Sequence, residues 1–182
     1  MTRATDSAAR IRLLDWDGLR DLWDRSANGR AAGWPPGKAL EYLILRAFEL
    51  DGATVRYPFE VTLHDSVIEQ IDGAVYAGYL SCLVEAKDST STVEVAVLAK
   101  LRAQLARRPA GIIGAVFSRT GFTNSAYALA GYFAPQTVLL WNGQEVEECL
   151  RQESIAVTLL AKYRECVEEG APQISEVETV LR

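Results

Sequence analysis

Hydrophobic positions change their period several times along the chain, and each change marks an element. Trp16, Leu19 and Trp23 recur at helical spacing within residues 15–25, and Asn28-Gly29 and Trp34-Pro35-Pro36-Gly37 then break the chain. A short N-terminal helix and a linker are expected over residues 1–36. The pattern is helical again over 37–50, where Lys38, Tyr42, Arg46 and Glu49 fall on one side and Leu40, Leu43, Ile44, Leu45, Ala47 and Phe48 cover the rest. Asp51-Gly52 closes that helix. Three β-rich runs follow at 53–62, 67–76 and 79–87, with turn signals at His64-Asp65-Ser66 and Ala77-Gly78. Connections this short predict an antiparallel meander.

The second half is helical over 93–107, with Leu98, Leu101 and Leu105 on one face and Lys100, Gln104, Arg107 and Arg108 on another, until Pro109 stops it. Residues 111–117 form a continuous apolar run, the mark of a strand buried on both faces. Thr123 or Asn124 then caps a helix to about 133, and 137–141 reads as one more strand. Asn142-Gly143 is read as a turn, and 145–169 as helix with a break near Ser154, before an acidic tail containing Pro172. This order predicts an α/β fold: a mixed central sheet flanked by helices, with a core at 37–150, an N-terminal segment at 1–36, and a C-terminal helix and acidic tail at 151–182.

With 182 residues and 49% hydrophobic content, one domain or at most two with a sizeable core is expected, and disorder is excluded for most of the chain. No apolar run approaches ~18 residues and no signal-like apolar region opens the sequence, so a cytoplasmic protein without membrane contact is expected. The cysteines, Cys82, Cys149 and Cys166, are widely spaced, and His64 is the only histidine. That excludes a disulfide framework, a zinc ribbon, and triad or multi-histidine chemistry. Catalysis is left to carboxylates, lysine and a hard metal. Charge narrows the choice further. The net charge is −5, yet no acid lies between Glu94 and Glu145, while Lys100, Arg102, Arg107, Arg108 and Arg119 do. An acidic segment followed directly by a basic one suits a metal site beside a phosphate-binding surface.

The acids of the first half have telling positions. Glu41 falls between Leu45 and Phe48 in the apolar sector of its helix, which costs free energy unless the carboxylate is paired or bound to a cation. Asp72 interrupts an apolar strand pattern. After twelve intervening residues Glu85-Ala86-Lys87 ends the next run, with Glu85 and Lys87 on one face. Alone, Glu85 and Lys87 could be an ordinary same-face pair and Asp72 the start of a turn with Gly73. Together, the two carboxylates and the Ala86 carbonyl make a hard-oxygen site suited to Mg2+, with Mn2+ able to substitute. A phosphodiester would fill the open positions, and Lys87 would orient the attacking water and offset developing charge.

Glu41, Asp72 and Glu85-Ala86-Lys87, in this order of elements, resemble the PD-(D/E)XK nuclease superfamily. The segment Phe122-Thr123-Asn124-Ser125-Ala126 and the run Val138-Leu-Leu-Trp-Asn-Gly-Gln-Glu-Val146 are similar to signatures of its Mrr-like restriction endonuclease branch. The resemblance covers about residues 37–150. It implies a restriction-endonuclease-like core of order α-β-β-β-α-β and Mg2+-dependent hydrolysis of DNA in restriction, phage defence or repair. Asp72 and Glu85 are implied as ligands, Lys87 as the catalytic lysine, and Glu41 as an outer or water-mediated ligand. No proline precedes Asp72, and Asn142 stands where the branch commonly has Asp.

For DNA contact, Ser118, Arg119 and Thr123 join a buried strand to a helix start, where they could cradle a phosphate or simply form a capped turn. Lys100, Gln104, Arg107 and Arg108 could line the scissile strand or form a solvated helix face. Partners expected are DNA and, for target choice, a recognition or helicase subunit or a second copy in a homodimer. The competing readings are an RNA- or structure-selective nuclease and a catalytically silent DNA-binding or assembly module of the same fold.

Overall fold

Residues 38–50 contain neither glycine nor proline, and they form one unbroken helix in the computed structural model, which describes residues 3–27, 31, 33–132 and 135–170. The elements begin with α1 (Arg3–Ile11), α2 (Trp16–Ala27), α3 (Lys38–Leu50), β1 (Thr54–Arg56), β2 (Phe59–Leu63), β3 (Ser66–Ile71), β4 (Gly73–Ala77) and β5 (Leu80–Lys87). They continue with α4 (Val95–Leu105), β6 (Ile113–Ser118), α5 (Asn124–Gly131), β7 (Val138–Trp141), α6 (Gly143–Gln152) and α7 (Ile155–Glu169). The Asn28-Gly29 turn, the far end of the helix expected to reach 133, and the Pro172 tail lie outside the described residues.

One five-stranded sheet, ordered β1-β4-β5-β6-β7, carries the fold. β1, β4 and β5 are antiparallel, whereas β5, β6 and β7 are parallel, so the sheet is mixed as expected. The meander itself is corrected. The run expected at 53–62 is two strands, β1 and β2, and the run at 67–76 is β3 and β4. β2 and β3 pair only with each other, as a separate hairpin turned at His64 and Asp65, which have φ of 47° and 62°. The strand period runs through both halves of each run, so periodicity alone does not mark where the chain leaves the main sheet. Gly73, where β4 begins, packs directly on α3: any Cβ there would overlap the Leu45 side chain.

Asn142-Gly143 is likewise a helix start instead of a simple turn. The Asn142 side chain accepts from the Glu145 amide at 3.0 Å, and the Glu145 carboxylate accepts from the Asn142 amide at 2.8 Å, satisfying two amides of the first turn. Glu153, with φ of 56°, makes the break between α6 and α7. Val93 is not yet helical: it bridges to Phe122 and ties the start of α4 to the turn before α5.

One face of the sheet packs against α3 together with Leu19, Leu22 and Trp23 of α2 and Val146, Cys149, Ile155 and Leu159 of the C-terminal helices. Leu98, Leu101 and Leu105 of α4, with Ala126 and Ala130 of α5, cover the other. α1 and α2 pack on α3, and its expected polar side is partly covered. Tyr42 is buried, its ring 5.7 Å from those of Trp34 and Tyr57.

The hairpin is exposed along most of its length, but Glu69 on β3 is buried and held by both Arg107 and Arg108, while the Gln104 amide donates to the Gln70 carbonyl at 3.2 Å. These contacts fasten the strand that leads into Asp72 onto the end of α4. The Arg108 hydrogen bond, opposed by burial and helped by Arg107, holds the Glu69 carboxyl below its ordinary range. A carboxyl lowered in the folded state contributes stability above the unfolded pKa of about 4.3 and loses it as pH falls through the folded value. Glu69→Gln should therefore cost about 1–2 kcal/mol at pH 7, with the gap narrowing below about pH 4. Thermal melts from pH 3 to 7 test this; a gap independent of pH would show that the arginines do not depend on the charge.

Candidate active site

β4 starts at Gly73, opposite Val84, so β5 runs past its antiparallel neighbour and its last residues have no partner on that side. Asp72 fills the gap. Its Oδ2 accepts the Ala86 amide at 3.0 Å in place of a ladder bond. On the opposite edge the Lys87 carbonyl accepts from the Arg119 amide at 3.3 Å. Successive strand residues turn their polar groups to opposite sides, so the Ala86 carbonyl lies on the Asp72 side, free of β6. Asp72 and the Ala86 carbonyl thus share one side of the end of β5.

Glu85 is 1% exposed, and its carboxylate sits between two ammonium groups: Lys87 Nζ at 2.6 Å, and Lys100 Nζ of α4 at 3.0 and 3.1 Å from the two oxygens. Glu41 reaches the cluster from α3, 7% exposed, and is paired with Lys38 at 2.7 and 2.9 Å. Burial, followed by the Asp72 charge, pushes the Glu41 carboxyl up to about 7 against the pull of Lys38 and Lys87. Burial and then the Glu85 charge raise Asp72 as well, against the Ala86 amide and Lys87. Burial acts to lower Lys87, but its bond to Glu85 and the charges of Glu85, Asp72 and Glu41 outweigh that, so its pKa is raised and it remains an ammonium at neutral pH.

Asp72 raises Glu41 and Glu85 raises Asp72, so a divalent cation beside these buried carboxylates would favour their charged forms. Among the described residues, no three or more Asp, Glu, His or Cys side chains close on one point as a complete metal cage. The donors available would instead be Asp72, Glu85 and the Ala86 carbonyl. Such a set would suit a hard divalent ion that keeps several waters and takes its remaining ligands from a substrate phosphate.

The residues expected to contact DNA are arranged differently from one basic strip. Lys100 joins the carboxylate cluster. Gln104 is 3% exposed and engaged with Gln70, and Arg107 and Arg108 hold Glu69. Arg119 bonds Asp88 at 2.6 Å and Ser26 at 2.7 Å and lies 3.8 Å over the Trp23 ring. Ser118 is fully buried and donates to the Gly121 carbonyl at 2.8 Å, and Thr123 caps α5 through the Ala126 amide. The sequence reading missed Lys38 as a site lysine, although its spacing of three from Glu41 on one helix was a usable signal.

A family model for Mrr-type restriction endonucleases matches residues 36–150. The chain belongs to that restriction endonuclease family. The match spans every residue of the carboxylate cluster, from Lys38 to Lys100, and makes the protein a nuclease of restriction-endonuclease type. No curated protein matches by sequence. Among solved structures, the protein of unknown function AF1548 aligns with a TM-score of 0.48 at 13% identity, over 78% of this chain and 92% of that one. MspJI restriction endonuclease, in complex with a 27-mer oligonucleotide, aligns with a TM-score of 0.41 at 21% identity, over 91% of this chain and 38% of that one. The described residues include no helix long and apolar enough to cross a membrane.

Proposed function

We propose that this restriction endonuclease family member is a DNA endonuclease dependent on a divalent metal, Mg2+ or Mn2+, acting in restriction, phage defence or repair. Asp72, Glu85 and the Ala86 carbonyl would hold the ion. The observation that carries this reading is the Asp72 carboxylate replacing the missing ladder partner of Ala86, beside a Glu85 that is 1% exposed. A bound divalent ion lowers the pKa of its water and neutralises charge on the phosphodiester as it is attacked.

The chain's own groups do the rest. Lys87, a retained ammonium, donates hydrogen bonds and cannot serve as the base. It aligns the attacking water and offsets the negative charge that accumulates as the new P–O bond forms and the old one breaks. Glu41, held by Lys38, positions a further water near Asp72. Three lysine side chains rim the buried carboxylates with partly exposed ends, Lys38 at 43%, Lys87 at 36% and Lys100 at 47%. They give a phosphate backbone a local positive rim on an acidic protein.

The test is incubation of supercoiled plasmid, single-stranded DNA and RNA with Mg2+, Mn2+ or EDTA. Cleavage of duplex DNA with either metal and none with EDTA is expected. Cleavage of RNA alone would redirect the substrate, and cleavage of nothing would leave a DNA-binding module. Asp72→Asn should weaken Mn2+ binding in calorimetry by roughly tenfold or more, because a direct carboxylate ligand becomes a neutral amide. Unchanged affinity would move the metal elsewhere.

A further inference from the structure

With every group ionised, the charges at the end of β5 balance without any ion. Glu41, Asp72 and Glu85 face Lys38, Lys87 and Lys100, three negative charges against three positive, and Glu85 alone receives two of the ammonium groups. The carboxylates are buried in the protein, whereas the lysines enter from the surface on flexible stems. If Glu85 is to ligate a divalent cation, the ammonium groups bonded to it compete for its oxygens. Lys87 is on the same strand and keeps its place beside Glu85. Lys100 comes from a different element, bridges both Glu85 oxygens, and is the most exposed of the three.

We propose that Lys100 is a second substrate-facing lysine of this site: it serves as the counter-ion of Glu85 in the metal-free protein and turns to the scissile phosphodiester when a divalent cation occupies Glu85. The inference rests on the function proposed above and gives the α4 lysine of its positive rim a specific role. Its electrostatic logic is simple. With the cation bound, the cluster carries two net positive charges if all six side chains remain ionised. Two is also the number of negative charges on a phosphodiester attacked by hydroxide. A released Lys100 then bonds to phosphate oxygens instead of to a carboxylate already committed to the metal. In the metal-free protein, the same lysine keeps a buried carboxylate from standing partly uncompensated.

Calorimetric titration with Mn2+ in the absence of DNA, together with single-turnover cleavage of duplex DNA at saturating Mn2+, tests this on the full chain. Lys100→Met keeps the stem and removes the charge. It should bind Mn2+ roughly tenfold tighter, since a competing cation beside the ligand is gone, and should cleave roughly tenfold to a hundredfold more slowly. Lys100→Arg should return both values toward wild type, and Lys100→Gln repeats the comparison with a polar neutral side chain. Unchanged or weakened Mn2+ affinity in both neutral variants would overturn the counter-ion role and mark Lys100 as a support for Glu85. Tighter Mn2+ binding with undiminished cleavage would overturn the substrate-facing role. Failure of the proposed function looks different, because the wild-type protein itself would then neither bind Mn2+ nor cleave DNA.

Discussion

Lys87→Ala protein will fold, bind Mn2+ at least as tightly as wild type because a cation beside Glu85 is gone, bind duplex DNA within a few-fold of wild type, and cleave about 10²–10³-fold more slowly. The fold survives because Glu85, the group Lys87 pairs with among the described residues, keeps its two bonds to Lys100. Ground-state binding survives because Asp72, Glu85 and the Ala86 carbonyl are untouched. What disappears is an ammonium aimed at charge that develops only during attack, so the loss belongs in kcat and not in KM. Single-turnover cleavage at saturating Mn2+, compared with equilibrium binding to an uncleaved duplex in Ca2+, separates the two. A variant that turns over within tenfold of wild type would remove Lys87 from the chemistry. A variant that loses metal binding to the same extent would make it a structural neighbour of Glu85.

How far the site could be read in advance depended on whether each contact is local. Glu85 and Lys87 share a face because strand geometry repeats every two residues, and Glu41 points inward because helix geometry fixes its angle to Leu45 and Phe48. Those relations are properties of single elements. Asp72 needed the register of one hairpin, which its short turn determines. By contrast, Lys100 meeting Glu85, and Arg107 and Arg108 meeting Glu69, depend on how α4 is rotated and shifted over the sheet. No periodicity encodes that. The acid-free stretch 95–144 looked like a reserve of positive charge for DNA; in the fold, Lys100, Arg107, Arg108 and Arg119 each reach back to an acid of the preceding segment. The same limit hid the β2–β3 hairpin, since two strands in different sheets can share one uninterrupted alternation.

Gly143→Ala should lower the stability of the protein by about 3 kcal/mol, although alanine is ordinarily the better helix residue. A Cβ at Gly143 would overlap the Arg119 carbonyl oxygen and lie 3.2 Å from its carbonyl carbon. The obstacle is backbone, so no side-chain rotation relieves it. Neither partner is free to retreat. Gly143 is held at the first turn of α6 by the Asn142–Glu145 capping box, and Glu145 is bonded in turn to Lys162, a buried lysine that also donates to the Leu140 carbonyl at 2.6 Å. Arg119 is fixed by Asp88, Ser26 and Trp23, and its amide donates to the Lys87 carbonyl. Displacing Arg119 therefore pulls on the strand end that carries Glu85 and Lys87, and cleavage should fall along with stability. Gly131→Ala is the matched control, because a Cβ there meets nothing within 4 Å near the end of α5; it should be neutral or stabilising by up to ~1 kcal/mol. Urea unfolding of both variants, with cleavage rates measured well below their midpoints, checks the pair. Equal stability of the two would mean that α6 can slide away from β6, and that Asn142-Gly143 is only a helix cap with no hold on the active end of β5.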